Sequence, residues 1–414
     1  MVLAGPTASP ASVPSRAVPP IAACAAVFLA LALAGCSLKA SDNSGGSIGG
    51  APQVGAQSSD KKAAKQLGFP IVATRNTTRV SGSDPIADAA GVANALFPAT
   101  EPATQPPAIV LADKDDWQGI IAASALSAAP IRAPILLSNG GDLPPVTSET
   151  LSQLKPKGIT EPSRAQAILI GNKPPPPDKL KSTVIKTSGD PYKRAAEIDH
   201  FVTLARGKPS PNVVIASGEK SEYAMPAAAW AARSGDAVLF VKKDELPGAT
   251  KAALQQHEKP RIYILGPSSV ISDGVAKQLG ALGPVKRVGA KGAVENSIKF
   301  ASYKSRDFGF GPIAPGGSYT VANTSRPGDA AGAAGLGGNG VYAPLLLTDD
   351  AKALPRALEG FFLDVQPGFY AGSDPRQSVY NHVWILGGTS ALSEPAQGRL
   401  DSVTALVTVD RAPR

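Results

Sequence analysis

The sequence has few of the residues on which metal sites and nucleophilic active sites are usually built. It has two cysteines, Cys24 and Cys36, both close to the N-terminus, and three histidines. His200, His257 and His382 are dispersed, without the spacing of metal ligands or of a catalytic triad. Although Asp and Glu are numerous, no pair is singled out by its context, so nothing specific supports a glycosidase site. We therefore expect no enzymatic activity and no metal or other cofactor.

The first residues have the pattern of an export signal. One cation, Arg16, precedes an apolar run from Ile21 to Gly35, which is too short to span a bilayer of about 30 Å but suits a secretion signal. The run ends in LAGC, Leu33 to Cys36, which resembles the bacterial lipobox. That resemblance implies cleavage before Cys36 and attachment of diacylglycerol to its sulfur, with fatty acyl chains such as palmitate.

We accordingly predict a lipoprotein signal peptide at residues 1–35 and a flexible Gly/Ser-rich tether at residues 36–70. An export signal that merely contains a cysteine is the alternative. A diacyl anchor would hold the protein at the outer face of the plasma membrane, because each buried CH₂ contributes about 0.8 kcal/mol. With Cys24 removed and Cys36 acylated, the mature chain would have no thiol for a disulfide or a metal.

The rest of the chain repeats three phrases in a fixed order, and the segments that begin at Ala133, Ala237 and Ala343 lie about 105 residues apart. The first phrase is a turn that opens a helix, at residues 79, 186 and 287. The second phrase is a strand, a loop, an Ala-rich helix and another strand, from residues 108, 212 and 319. The third phrase is a strand that ends in Gly, from residues 167, 261 and 383.

Apolar, β-branched strands that alternate with Ala-rich helices predict mainly parallel sheets with helices on both faces. The fold class is therefore α/β, with three tandem modules. The first phrase places the modules at residues 71–184, 185–286 and 287–409. The third module is the longest, and its extra residues, 303–317 and 364–377, have the turn-forming composition of loops.

These phrases resemble the bacterial cell wall-binding repeat type 2, which usually occurs as three tandem copies. RVSGSD from Arg79 matches the opening of that repeat. APILLS from Ala133 and VVIASGE from Val213 match its middle, and VWILGGTSALS from Val383 matches its end. The resemblance covers residues 70–409. It implies three non-catalytic modules in a pseudo-threefold arrangement, which bind anionic cell-wall polymers along the grooves between modules.

Two places depart from the family pattern. The third opening, RVGAKGA from Arg287, lacks the Asp, and the first module has NKPPPP at residues 172–177 where the family has a helix start. The ligand contacts of the family cannot be carried over at these two places.

Polar side chains beside the repeated turns and strand ends are the candidate polymer contacts. Asp84-Pro85 and Asp190-Pro191 are instead predicted to start helices, with Asp as the N-cap. The carboxyl ends of strands in open α/β sheets collect ligands, and cations can face phosphate or carboxylate groups. The candidates chosen on these grounds are Arg79, Asp113, Lys193, Arg194, Ser217, Glu219, Arg287 and Asn323. Each has a structural alternative, as a cap, a turn residue or a solvated cation.

Two further features are predicted to be structural. GLGGNG, from Gly335 to Gly340, fits the G-x-G-x-x-G fingerprint of dinucleotide sites, but it closes an Ala-rich helix where that fingerprint should open one. We predict that it connects a helix to a strand, and we expect no nucleic acid partner. Trp230, inside another Ala-rich helix, is predicted to lie in the core.

The formal net charge of +8 favours contact with anionic neighbours such as lipid headgroups or acidic wall polymers, although it can also serve solubility alone. We predict a non-catalytic, lipid-anchored protein that binds an anionic cell-wall polymer at the outer face of the plasma membrane. The alternative is a lipid-anchored solute-binding receptor of a transport system, which would have two lobes and a hinge. A wall hydrolase is disfavoured because an acid/base constellation is missing, and the oligomeric state stays open.

Overall fold

The computed structural model describes residues 72–410, apart from positions 81, 83, 172–174, 176, 178, 186–188 and 312–313. The predicted signal peptide, the tether and Cys36 lie outside the described residues. Among the described helices, none combines the length and the apolar composition that crossing a bilayer requires.

The elements follow the predicted alternation of strands and helices. Those up to residue 185 are β1 (Val72–Ala73), β2 (Thr77–Val80), α1 (Pro85–Leu96), β3 (Ile109–Asp113), α2 (Trp117–Ala123), β4 (Ile135–Ser138), α3 (Pro145–Leu154), β5 (Ala167–Ile170) and β6 (Ser182–Ile185). Those of the middle part are α4 (Pro191–Arg206), β7 (Asn212–Ser217), α5 (Ser221–Ala224), α6 (Pro226–Ser234), β8 (Ala237–Val241), α7 (Gly248–Gln256), β9 (Arg261–Leu265), α8 (Asp273–Gly280) and β10 (Val285–Val288).

The C-terminal part completes the array of three modules. Its elements are α9 (Ala293–Ala301), β11 (Ser318–Asn323), α10 (Ala330–Gly338), β12 (Leu345–Thr348), α11 (Arg356–Asp364), β13 (Gly368–Tyr370), β14 (His382–Leu386), α12 (Glu394–Thr404) and β15 (Val407–Val409). Short 3₁₀ helices lie at Pro102–Thr104, Ser124–Ser127, Pro327–Asp329 and Pro375–Gln377.

The strands form three larger sheets with the same strand order. Parallel strands lie in the order β4-β3-β5-β6 in the first sheet and β8-β7-β9-β10 in the second. The third sheet has the order β12-β11-β14-β2, and β1 joins its edge in antiparallel orientation. Strands β13 and β15 pair separately. The predicted α/β fold with mainly parallel sheets and repeated modules is confirmed.

The N-terminal strand β2 completes the third sheet. It pairs with β14 from Thr77 opposite Val383 to Val80 opposite Leu386. In the first and second sheets the same place is taken by β6 and β10. Each of these strands comes next along the chain after the strand with which it pairs, β5 and β9. The segment 71–184, predicted as the first module, therefore begins with two strands that hydrogen-bond in the third sheet, so the array closes on itself.

Two local predictions differ from the structure. The sequence predicts only a turn before a helix where β2, β6 and β10 lie. Each of these strands has four residues, and polar or charged side chains such as Arg79, Thr183 and Lys286 hide the apolar pattern. The insertion 364–377, predicted as a loop, contains β13, which pairs with β15 far along the chain.

Small residues allow equivalent helices of the three modules to pack against each other. Helices α6 and α10 contact each other and the 3₁₀ helix that continues α2, which is the packing expected of a pseudo-threefold arrangement. A Cβ added to Gly337 would lie 2.7 Å from Ala229 Cα, and one on Gly338 would lie 2.5 Å from the Ala232 carbonyl oxygen. The GLGGNG segment thus ends α10 and leads to β12, as predicted. Trp230 is buried in α6, also as predicted.

Helices α1, α4 and α9 follow the fourth strand of each sheet and join neighbouring modules. Helix α4 packs on α2 of the first module and on α7 and β8 of the second. Helix α1 joins the third module to the first in the same way, and α9 joins the second to the third. We call the surroundings of α1, α4 and α9 the closing seam, the first seam and the second seam. The predicted N-caps of α1 and α4 are confirmed, since Asp84 and Asp190 accept hydrogen bonds from backbone N–H groups.

Candidate functional site at the carboxyl edge of the sheets

Asp113, Ser217 and Asn323 occupy one equivalent position, the last residue of the inner strands β3, β7 and β11. All three are buried. The Ser217 hydroxyl accepts hydrogen bonds from the backbone N–H groups of Glu219 and Lys220, both at 3.1 Å. Asp113 and Asn323 likewise accept from backbone N–H groups of their own loops, those of Asp115 and Ser325. Each also has a hydrogen bond to a neighbouring loop, at Gly140 and Ala391. These buried side chains shape the strand-end loops, which is the structural alternative, and their burial argues against direct ligand contact.

The three strand-end loops adjoin at one face of the molecule. Gln118 Nε2 of the first module donates to the Gly218 carbonyl oxygen of the second at 3.1 Å. A Cβ on Gly328 of the third module would lie 3.5 Å from the Lys114 carbonyl oxygen of the first. Helices α1, α2, α4, α5 and α9 begin at this edge because each follows the carboxyl end of a strand. The partial positive charge at their N-termini favours anions there.

The first seam brings four of the predicted candidates near one another. Asp190 caps α4 through the N–H groups of Tyr192 and Lys193, at 2.8 and 3.2 Å. The Tyr192 ring lies so close to Gly218 that an added Cβ would be 2.8 Å from Tyr192 Cε1. Burial, together with the charge of Glu219, raises the pKa of Tyr192. The loop of Ser217 and Glu219 is thus packed against the first turn of α4.

The candidates of the first seam differ in accessibility. Lys193 and Glu219 are exposed, and Glu219 Oε2 also accepts from the Lys243 backbone N–H at 2.8 Å. Arg194 is largely buried, and its Nε lies 3.1 Å from Asp116 Oδ2 across the seam. Arg194 therefore links two modules, whereas Lys193 and Glu219 remain accessible to a ligand.

Arg79 is a structural residue, and its assignment as a polymer contact is wrong. It is 1 % exposed. Its guanidinium donates to the carbonyl oxygens of Gly387, Gly388 and Leu392 at 2.7 to 2.9 Å, and twice to Gln397 Oε1. Burial lowers the pKa of Arg79, although the carboxylates of Glu394 and Asp88 oppose this. The guanidinium holds β2 to the turn after β14 and reaches no surface.

Arg287 occupies the equivalent position in β10 but stays partly accessible. Its Nη1 donates to the Gly266 carbonyl oxygen at 3.0 Å, and its Nη2 contacts Asp273 Oδ1 at 3.0 Å. The side chain of Arg287 is 25 % exposed. It remains a candidate contact.

The closing seam contains a buried ionic cluster that the sequence analysis missed. Arg326 lies between Asp88 of α1 and Asp329, whose Oδ2 is 2.7 Å from Arg326 Nε. Burial, and then the charge of Asp329, raise the pKa of Asp88 to about 8. Burial also raises the pKa of Asp329. The two carboxyl groups therefore share one buried cation, and burial favours a proton on the pair.

A signal for this cluster exists in the repeats. Asp88, Arg194 and Asn296 share one position, four residues after the N-cap of α1, α4 and α9. Their partners share another position, three residues after the strand end: Arg326 and Asp116. In the closing seam the helix carries the acid and the loop carries the arginine, whereas in the first seam the helix carries the arginine and the loop carries the acid. Only a comparison of the helix position and the loop position together could have predicted this ion pair.

Residues 187–276 match the family model of cell wall binding domain 2 (CWB2). This segment includes α4 and the loop of Ser217 and Glu219 and ends within α8. The predicted family resemblance is confirmed for this part of the chain. Among the curated proteins, none matches.

Two solved structures have a similar fold. Cwp8 from Clostridium difficile has a TM-score of 0.61 and 17% sequence identity, and the match covers 80% of this chain and 52% of that chain. Cwp6 from Clostridium difficile has a TM-score of 0.61 and 16% identity, covering 82% of this chain and 49% of that chain. The chain therefore spans about half the length of each structure, and at these identities the likeness shows the fold.

Proposed function

We propose that this protein is a non-catalytic binding protein that attaches to an anionic polymer of the cell wall. The observation that carries the proposal is the match of residues 187–276 to a cell wall binding domain. The recurrence of the same sheet and the same kind of seam in three modules supports contact with a repetitive ligand, because linked weak sites give high avidity.

The accessible residues of the first and second seams are the proposed contacts. Lys193 offers a cation at the N-terminus of α4, and Arg287 offers a partly exposed guanidinium, so both can face phosphate or carboxylate groups. Glu219 would repel such groups, so we assign it to sugar hydroxyls, which donate hydrogen bonds. Arg194 holds the seam in shape through Asp116.

We also propose that a lipid on Cys36 holds the protein at the outer face of the plasma membrane. The LAGC sequence and the apolar run before it support this. Labelling cells with a fatty-acid analogue should mark the wild-type protein and not Cys36→Ala. Incorporation that persists in the variant would contradict this anchor.

The solute-receptor alternative has no specific support in the fold. Such a receptor is expected to have two lobes and a hinge, whereas the described residues form three larger sheets of equal strand order. No reaction is proposed.

Co-sedimentation with isolated cell walls tests the proposed function. Residues 37–414 should sediment with untreated walls and stay in solution when hydrogen fluoride or acid has removed the anionic polymers. Lys193→Gln should weaken binding about fivefold, since a well-placed cation near an anionic surface contributes about 1 kcal/mol. The matched control is Lys277→Gln, which removes the same charge from the last turn of α8 and should bind as the wild type does. Undiminished sedimentation with stripped walls would contradict the proposal.

A further inference from the structure

Arg233, Phe310 and Tyr342 form a cluster on the face opposite the strand-end loops. Arg233 Cζ lies 5.4 Å from the ring centre of Phe310 and 5.7 Å from that of Tyr342. Arg233 is in the last turn of α6, Phe310 is in the insertion before β11, and Tyr342 precedes β12. All three positions are at the amino edge of the sheets, where the second and third modules meet. We call this cluster the platform.

Tyr342 presents an aromatic ring to solvent from an unfavourable backbone conformation. The residue is 53% exposed, and its φ is 54°. A left-handed conformation is strained for a bulky residue. Gly340, two residues earlier, has a positive φ without that strain. Arg132, at the equivalent place before β4, has the same conformation with a φ of 50°. The turn therefore does not require a tyrosine at this position.

Arg233 is not needed to cap its helix or to neutralise a carboxylate. The end of α6 is already capped by Arg206, whose Nη1 donates to the Gly235 carbonyl oxygen at 2.7 Å. Arg233 is exposed, and in the part of the chain that the structure describes it forms no ion pair. Its charge is therefore open to an external anion.

The platform has a rigid base. Phe310 packs edge-on against Trp230, with ring centres 5.4 Å apart. Trp230 is buried, packs on Phe308 at 4.9 Å, and donates from Nε1 to Asp236 Oδ2 at 2.8 Å. A ligand would meet a surface that is already ordered, which reduces the entropy lost on binding.

We propose that the platform binds a sugar ring that carries a carboxylate or phosphate group. A guanidinium held against aromatic faces keeps the N–H groups at its edge free to donate to an anion. The exposed Tyr342 ring offers an apolar face and a hydroxyl to the adjoining sugar. This inference rests on the proposed function. It adds a second contact surface, at the amino edge of the sheets, and it narrows the ligand to a sugar that carries an anionic group.

Titration of the full chain with defined probes tests the platform. The probes are a uronic acid oligosaccharide, a sugar phosphate and a neutral glucose oligosaccharide, and binding is followed by calorimetry or by NMR. At least one anionic probe should bind, more tightly than the neutral one. Arg233→Gln and Tyr342→Gly should each weaken that binding about tenfold. Tyr342→Phe, which keeps the ring, should bind within about twofold of the wild type. Arg356→Gln removes an exposed arginine at the opposite edge and should change nothing.

Thermal unfolding separates loss of the site from loss of the fold. Tyr342→Gly should unfold at the same temperature as the wild type or higher, because glycine relieves the strain at a φ of 54°. If Tyr342→Gly binds the anionic probes as well as the wild type, or if the neutral probe binds as tightly as they do, the proposal is overturned.

Sedimentation of the same variants with cell walls distinguishes this inference from the proposed function. If the wild type binds walls while no probe binds and both platform variants sediment equally well, the platform is wrong and the proposed function stands. If an anionic probe binds through the platform but no protein sediments with walls, the platform stands and the proposed function is wrong.

Discussion

Arg79 and Arg287 occupy the same position in two equivalent strands but differ in their surroundings. Both donate from Nη1 to the carbonyl oxygen of the glycine after the neighbouring strand, Gly387 at 2.8 Å and Gly266 at 3.0 Å. Arg79 is buried among four further hydrogen bonds, whereas Arg287 faces solvent and the exposed Asp273. The same residue of a repeat is therefore structural in one module and accessible in another.

The difference follows from how each sheet receives its fourth strand. Strand β10 follows β9 directly along the chain through α8. Strand β2 comes from the other end of the array, and Arg79 and Gly387 are 308 positions apart. Closing such a loop costs conformational entropy, so side chains must hold β2 in place. Asp401 of α12 does so as well, accepting from the Asn76 backbone N–H at 2.7 Å.

Removing β2 should have the largest effect. Deletion of residues 1–80 leaves the edge of β14 open and the partners of Arg79 unpaired, so we expect the third module to unfold separately or aggregate. The loss is on the order of the stability of a domain, about 5 kcal/mol or more. Calorimetry and circular dichroism would measure it, with deletion of residues 1–70 as the control. An unchanged unfolding transition after deletion of residues 1–80 would disprove the closure.

Single substitutions of the two arginines give a sharper comparison. Arg79→Ala should lower the free energy of unfolding by about 3 to 5 kcal/mol, because several buried carbonyl groups lose their donors. Arg287→Ala should lower it by about 1 kcal/mol or less, since an exposed ion pair contributes little. Urea unfolding of both variants tests this. Equal losses of unfolding free energy in the two variants would show that the burial of Arg79 does not make it more important for stability than Arg287.

The closing seam should also depend on pH. The pKa of Asp88 is raised to about 8, so the folded state keeps a proton that the unfolded state loses near pH 4. The stabilisation is complete below pH 4 and is lost as the pH rises to about 8. Between pH 6 and pH 8.5 the wild type should lose about 2 kcal/mol more than Asp88→Asn. The free energy of unfolding in urea would be measured against pH for both proteins. If it changes with pH equally in the wild type and in Asp88→Asn, the pH dependence does not come from Asp88.

A second pH effect is expected in the middle module. His257 Nδ1 faces the Ser210 carbonyl oxygen at 2.8 Å and Nε2 faces Asp199 Oδ2 at 2.7 Å. Burial lowers the pKa of His257, but the hydrogen bond and charge of Asp199 outweigh it, so the net shift is upward. Its stabilisation is present below pH 6.5 and is lost as the pH rises through the folded-state pKa. His257→Gln should reduce that dependence, because glutamine does not titrate in this range. An NMR titration showing the His257 pKa below 6.5 would refute it.

The sequence predicted the fold because strands such as β3 and β7 are apolar at nearly every position and alternate with Ala-rich helices. It did not predict that β2 belongs to the third sheet. The local sequence TTRV is compatible with the edge of either the first or the third sheet, and only the tertiary pairing with β14 determines which one. For the same reason the sequence does not show that Arg79 is buried. The pairing of Asp88 with Arg326 depends on tertiary packing across the closing seam, which no local pattern contains. Lys193 and Glu219 are accessible at a helix start and a strand end, which are local signals, and their contact with a ligand stays a prediction.

Calorimetric titration of residues 37–414 with the anionic polymer released from cell walls tests the central claim most directly. We predict saturable binding that weakens as salt is raised from about 50 to 200 mM, because charge pairs with the polymer are screened. The absence of binding to the released polymer, together with full binding to walls stripped of it, would contradict the account.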